Sequence, residues 1–141
     1  MADHYTQFSV GIRVPSPEAK EWLLAKFEEI KKREEAENGL EELGFDFQFQ
    51  TDEVEGTYIW CHDQDGSANL ELFIEIFTRY LKKFSPKTYI HLTWSNSCSK
   101  PQLNAFGGGL AIITAYDVHT FDEWDWAKTK TKKLEMANVP G

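Results

Sequence analysis

Period-two alternation opens the chain. Phe8, Val10, Ile12 and Val14 alternate with Ser9, Gly11 and Arg13, which predicts a half-buried strand, β1, stopping at Pro15. Ser16 and Pro17 then form a helix start, a capping hydroxyl before a proline whose missing N–H costs nothing at the first helical position. Glu18 suits the positive end of the helix dipole. Leu23, Phe27 and Ile30 recur at helical spacing, with Trp22 beside them. From Lys31 the run KKREEAEN offers almost nothing to bury. Helix α1 should therefore dock by its first half, carry its second half into water and end near Asn38-Gly39.

Alternation returns at Phe45, Phe47 and Phe49 (β2) and again over residues 57–63 (β3), with turn chemistry over 51–56, so the pair reads as a hairpin. Leu70, Phe73, Ile74, Phe77, Leu81 and Phe84 form one broad helical stripe, α2, ended by Ser85-Pro86. Residues 89–94 predict β4 and residues 110–116 predict β5. Thr120-Phe121-Asp122-Glu123 matches a capping box, predicting a last helix, α3, from about Phe121 to Lys133, packed through Phe121 and Trp124.

The order β-α-β-β-α-β matches the ferredoxin-like split βαβ plan. The expected fold class is α+β: an antiparallel sheet in the order 4-1-3-2, both helices on one face, an added fifth strand at the β4 edge and a C-terminal helix. One domain is expected over residues 1–134, with 135–141 a frayed tail. Alternation places Phe8, Val10, Ile12, Phe45, Phe47, Phe49, Ile59, Cys61, Ile90, Leu92 and Trp94 toward the helices. Arg13, Gln48, Tyr58, Trp60, His62, Tyr89, His91 and Thr93 fall on the opposite, open face. A slip of one residue would exchange the two sets.

Between β4 and β5 the chain reads WSNSCSKPQLNAFGGG, a polar connection over residues 95–109. Connections this long inside a small domain are more often functional than decorative. Ser97, Cys98, Lys100, Gly107 and Gly108 are its candidate binding residues. Tyr58, Trp60, His62, Tyr89 and His91 add rigid aromatic faces on the adjoining sheet, suited to stacking on a base, a peptide or a second copy.

The 141 residues, 41% hydrophobic and 14% aromatic, suffice for a core without staples. Two cysteines make no disulfide framework. No stretch reads as a secretory signal, and none approaches the roughly 20 apolar residues of a membrane span. A cytoplasmic, reducing setting without membrane contact is expected. The net charge is −8, unevenly placed: residues 127–141 sum to +3 and residues 1–126 to −11. An acidic body disfavours duplex nucleic acid, whose affinity comes mainly from phosphate neutralisation.

Specific chemistries find weaker support. Cys61, His62, His91, Cys98 and His119 are soft ligand types, but none falls into a metal-binding spacing, so no metal or cofactor is expected. Asp63-x-Asp65-Gly66 resembles part of a calcium loop without its remaining acids and reads as a turn. Lys100 beside Cys98 would favour a thiolate, and His91 or His119 could serve as its base. Gly107-Gly108-Gly109 runs into a strand, so it lacks the helix N-terminus of a phosphate loop. The glycines read better as a positive-φ, bulged or closely approached backbone. His91-x-Thr93 has the form of a two-histidine phosphoesterase motif but no second copy.

Cys98-Ser99-Lys100-Pro101, Phe106-Gly107-Gly108-Gly109, Ile113-Thr114-Ala115 and Trp124-Asp125-Trp126 together resemble a family of small uncharacterised bacterial and phage proteins. Its recurring form is CSKPR, FGGGA, VTA and a late TW-W segment, and the likeness covers residues 88–127. It implies a shared loop and no reaction. Gln102 stands where that pattern has arginine, which puts a cation's role there in doubt. The function expected is a non-enzymatic binding or accessory module for a small molecule or a protein, phage or mobile-element encoded. It would use the 95–109 loop and the open face. The alternatives are a hydrolase or transferase using Cys98 or His91, and a homodimer that consumes the open face.

Overall fold

The structure is a computed structural model, and it describes residues 4–39, 42–64, 66, 68–98 and 107–137. It is an α+β fold with six strands and three helices. The elements in order are β1 (His4–Arg13), α1 (Pro17–Asn38), β2 (Asp46–Asp52), β3 (Gly56–His62), α2 (Leu70–Phe84), β4 (Ile90–Cys98), β5 (Gly107–Ile113), β6 (Val118–Asp122) and α3 (Glu123–Ala137). One sheet runs β2-β3-β1-β4-β5-β6, and every neighbouring pair is antiparallel. It is not the plain ferredoxin-like split: two strands, not one, extend it beyond β4.

Helix starts follow the local chemistry. The Ser16 side chain accepts the Ala19 N–H at 3.2 Å, and Gly39 closes α1 in the left-handed region at φ 78°, its N–H donating to the Glu35 carbonyl. Only Ala19, Leu23, Phe27 and Ile30 of α1 are buried, so its second half does lie outside the core. There Arg33 reaches across to Glu75 of α2 with two contacts, at 2.8 and 3.2 Å. Asn69 caps α2 by accepting the Leu72 N–H at 3.2 Å.

The helix-facing side of the sheet holds the core expected from alternation. Phe8, Ile12, Phe45, Ile59, Cys61, Ile90 and Leu92 are buried, with Val10, Phe47, Phe49 and Trp94 packed against them. In α2 the stripe is centred differently. Ile76 and Tyr80, outside the expected set, are fully buried, whereas Leu70, Ile74 and Phe84 only flank the core. The Tyr80 hydroxyl donates to the Arg13 carbonyl at 2.6 Å, satisfying the phenol at the end of β1. Burial pushes that phenol up to about 12.

Three boundaries differ from the sequence expectation. β4 runs on through Ser95, Asn96, Ser97 and Cys98, because residues 4–7 of β1 supply pairing partners that local sequence cannot reveal. Gly107, Gly108 and Gly109 belong to β5 and pair with Asn96, Ser95 and Trp94. The polar connection therefore shrinks to residues 99–106, which lie outside the described residues. Finally, β5 stops at Ile113. Thr114 accepts the N–H groups of Tyr116 and Asp117 through its hydroxyl, turning the chain back into β6. Thr120 pairs with Ala111 and Phe121 with Leu110, so the capping-box reading fails: its threonine is in a strand, and α3 begins at Glu123. α3 continues to Ala137, past the expected end of order at Leu134.

Candidate functional site

All three helices leave much of one sheet face to solvent. On β3, Tyr58, Trp60 and His62 alternate with the buried Ile59 and Cys61. On β4, His91, Thr93, Ser95 and Ser97 alternate with Ile90, Leu92, Trp94 and Asn96, and Tyr89 leads into the strand. Side chains two apart on one strand stand side by side. The Trp60 and His62 rings lie 4.4 Å apart and 34° from parallel, and the Tyr89 and His91 rings 5.0 Å apart at 35°. The Trp60 indole N–H donates to Ser9 Oγ at 2.7 Å, and the Tyr58 hydroxyl donates to Gln50. These bonds hold two rings upright on an exposed surface.

Between the two aromatic pairs the sheet has a gap. β1 lies between β3 and β4, and its residue in the Trp60 row is Gly11. β1 pairs with β3 over Ser9–Arg13 and with β4 over His4–Phe8. Gly11 thus leaves bare backbone beside Trp60, and the Trp60–His62 and Tyr89–His91 pairs offer flat aromatic area on the same face. A Cβ at Gly11 would meet only Tyr58 Cδ2, at 3.8 Å. Packing therefore does not require the glycine. Arg13 sits one row along, paired with Tyr58, and makes no ion pair among the described residues.

Alternation divides the polar run of β4. Ser97 faces the open side, where it joins Tyr5, Gln7, Asp46, His62, Asp63 and Gly66 around a shallow depression of about 430 Å³. Asp63 organises its floor, accepting the Phe8 N–H at 3.1 Å and the Gly66 N–H at 2.8 Å. Asp63 and Gly66 thus form a turn contact that locks β1. Asn96 points to the helix side, where its side-chain oxygen accepts the Thr6 hydroxyl at 3.1 Å. Cys98 lies at the end of β4, level with His4. Lys100 falls outside the described residues.

The triglycine serves close approach. A Cβ at Gly108 would sit 2.4 Å from the Trp94 carbonyl oxygen. One at Gly109 would sit 2.5 Å from the Trp94 ring and 2.6 Å from the Phe121 carbonyl oxygen. Gly107 adopts φ 146°. Two of these positions thus exclude a side chain because β4 and β6 pass directly alongside.

Other sequence candidates stand apart. Cys61 is fully buried, and loss of hydration pushes its thiol far above the ordinary range. His119, exposed on β6, lies 3.2 Å from Asp117 in the preceding turn. Among the described residues, no group of three or more His, Cys, Asp and Glu side chains could hold a metal ion. No described helix is long and apolar enough to cross a membrane. Gly11 and Ser9 escaped the sequence reading. The available signal was a glycine at the centre of an otherwise regular strand, which often marks close approach by a ligand or another backbone. A scan against protein-family models gives no match, and a search of curated proteins finds no significant relative.

Proposed function

We propose that this protein is a small binding module whose open sheet face takes a planar ligand carrying an anionic or carbonyl substituent. The observation that carries this reading is the exposed aromatic area of the Trp60–His62 and Tyr89–His91 pairs beside the bare backbone of Gly11. Stacking on Trp60, with Tyr58 and Tyr89 extending the aromatic surface, supplies the apolar contact. Arg13 supplies a charge for the substituent, with a planar fork of donors suited to a carboxylate. The resemblance to small bacterial and phage proteins, which implies a shared loop and no reaction, supports assigning the module an accessory role. The β1-to-β4 part is a ferredoxin-like split βαβ unit, with β5 and β6 widening the open face.

The probe is 2-naphthoate, planar and anionic, titrated against the indole N–H of Trp60 and the amide of Gly11 by NMR. Saturable shifts at both are expected. Gly11→Val should crowd the bare backbone beside Trp60 and Trp60→Ala should remove the stacking surface, each weakening binding at least tenfold without changing the far-ultraviolet circular dichroism. Unaltered binding in Gly11→Val sinks this reading.

A second reading is favoured by Leu110, Phe121 and Tyr89, exposed at 39%, 39% and 59% on or beside the same face. Two copies pairing their open faces would cover them. Sedimentation decides it: a monomer at tens of micromolar removes the dimer, and a dimer dissociated by Trp60→Ala replaces the ligand reading.

A further inference from the structure

A cavity of about 520 Å³ lies on the other side of the sheet from Trp60 and Gly11. It sits where the end of α1, the start of α2 and the polar half of β4 converge. Its volume falls in the range of small-molecule sites, about 300 to 1,000 Å³. The walls are of three kinds. Trp94 and Leu70 are apolar, Asn38 and Asn96 are amides, and Glu34 and Glu42 are carboxylates. No lysine, arginine or histidine is among the described residues lining it.

The neighbouring charges sharpen this asymmetry. Arg33, next to Glu34, pairs with Glu75 at 2.8 and 3.2 Å and with Glu34 at 3.3 Å, so one cation is shared between two carboxylates. Asn38 donates its amide to Glu34 Oε2 at 2.5 Å, which fixes the carboxylate without neutralising it. The Glu34 side chain is only 16% exposed, so its charge acts in a partly desolvated setting. The C-terminal end of α1 adds the negative end of its dipole. The opposing dipole, at the start of α2, is offset by Glu71 in its first turn and by Asn69 capping the Leu72 N–H. Trp94 offers an indole surface, and the absence of a side chain at Gly109 leaves that ring its position.

We infer that this cavity is a binding site for a small organic cation, a primary ammonium on a short apolar body. The carboxylates of Glu34 and Glu42 would pair with the ammonium, the side-chain carbonyls of Asn38 and Asn96 would accept its remaining protons, and Trp94 and Leu70 would cover the methylenes. The site shares no lining residue with the aromatic open face, so it stands or falls independently of the ligand proposed there.

The test uses 1,4-diaminobutane against the full chain, with inorganic phosphate as the anionic comparison. The indole N–H of Trp94 is assigned by Trp94→Phe and followed by NMR. A saturable shift with the diamine and none with phosphate is expected. The double variant Glu34→Gln/Glu42→Gln should weaken binding at least tenfold. Glu42→Gln alone, at an exposed position, should weaken it severalfold while leaving thermal unfolding unchanged. The inference is overturned by a diamine that does not saturate, by binding that survives the double variant, or by phosphate shifting Trp94 instead.

Discussion

Two glycines, each in a β-strand, make opposite demands. At Gly109 a methyl group would meet backbone oxygen and an indole ring inside 3 Å. Gly109→Ala should therefore cost about 2 kcal/mol through forced displacement of β6 or Trp94. At Gly11 only an ordinary 3.8 Å contact waits, so Gly11→Ala should be neutral or stabilising by about 0.5 kcal/mol. Urea unfolding of the two variants checks both values, and equal losses would contradict the packing argument. The buried thiol makes a different prediction. Cys61 is held neutral by burial, so its contribution is complete below the ordinary thiol pKa of about 8.5. Above that pH the unfolded chain gains by ionising, and stability falls by up to about 1.4 kcal/mol per pH unit. Tyr80, pushed up to about 12, adds to the loss above about pH 10. Denaturation midpoints between pH 7 and 10 should decline, and Cys61→Ala should flatten the fall between pH 8.5 and 10. In the folded chain Cys61 should resist thiol reagents at pH 8 until unfolding exposes it.

At the level of elements, local signals and tertiary pairing compete. The start of α1 obeys Ser16 and Pro17, because caps act within one turn. The end of β4 does not obey its own composition. Ser95, Asn96, Ser97 and Cys98 look like loop, yet β1 lines one side of them and residues 107 and 108 line the other alongside Ser95 and Asn96. Backbone hydrogen bonding fixes the conformation whatever the side chains prefer. β6 hides for a related reason. Thr120 and Glu123 have capping-box spacing, but the turn at Thr114 delivers residues 118–122 to the free edge of β5 first. α3 shows the converse, a helix with little to hold it. From residue 126 to 135 every described position except Ala127 is exposed. Removing residues 127–141 should therefore leave the melting temperature within a few degrees, while the net charge moves from −8 to −11. Calorimetry of the truncated chain tests this, and a large drop would mean that α3 contributes to the core.

Across the whole molecule, one sheet face is covered and the other largely is not. That division was readable in advance, because strands alternate strictly and a buried face tolerates no slip in register. Phe8, Ile12, Ile59, Cys61 and Leu92 are buried as the pattern requires, and Trp60, His91 and Thr93 face outward. The functional surfaces were only half readable. Aromatic side chains on β3 and β4 could be assigned to the open face from alternation, but the bare backbone beside Trp60 required knowing that β1 lies in the middle and that Gly11 meets Trp60. The acidic cavity was unreadable, because Glu34, Asn96 and Leu70 come from three separate elements. Periodicity is a property of neighbours along the chain, so the sorting of side chains to one face or the other is already written in the order of residues. Which side chains meet across strands and between helices depends on contacts distant in sequence, and folding alone brought Gly11 beside Trp60 and carboxylates beside Trp94.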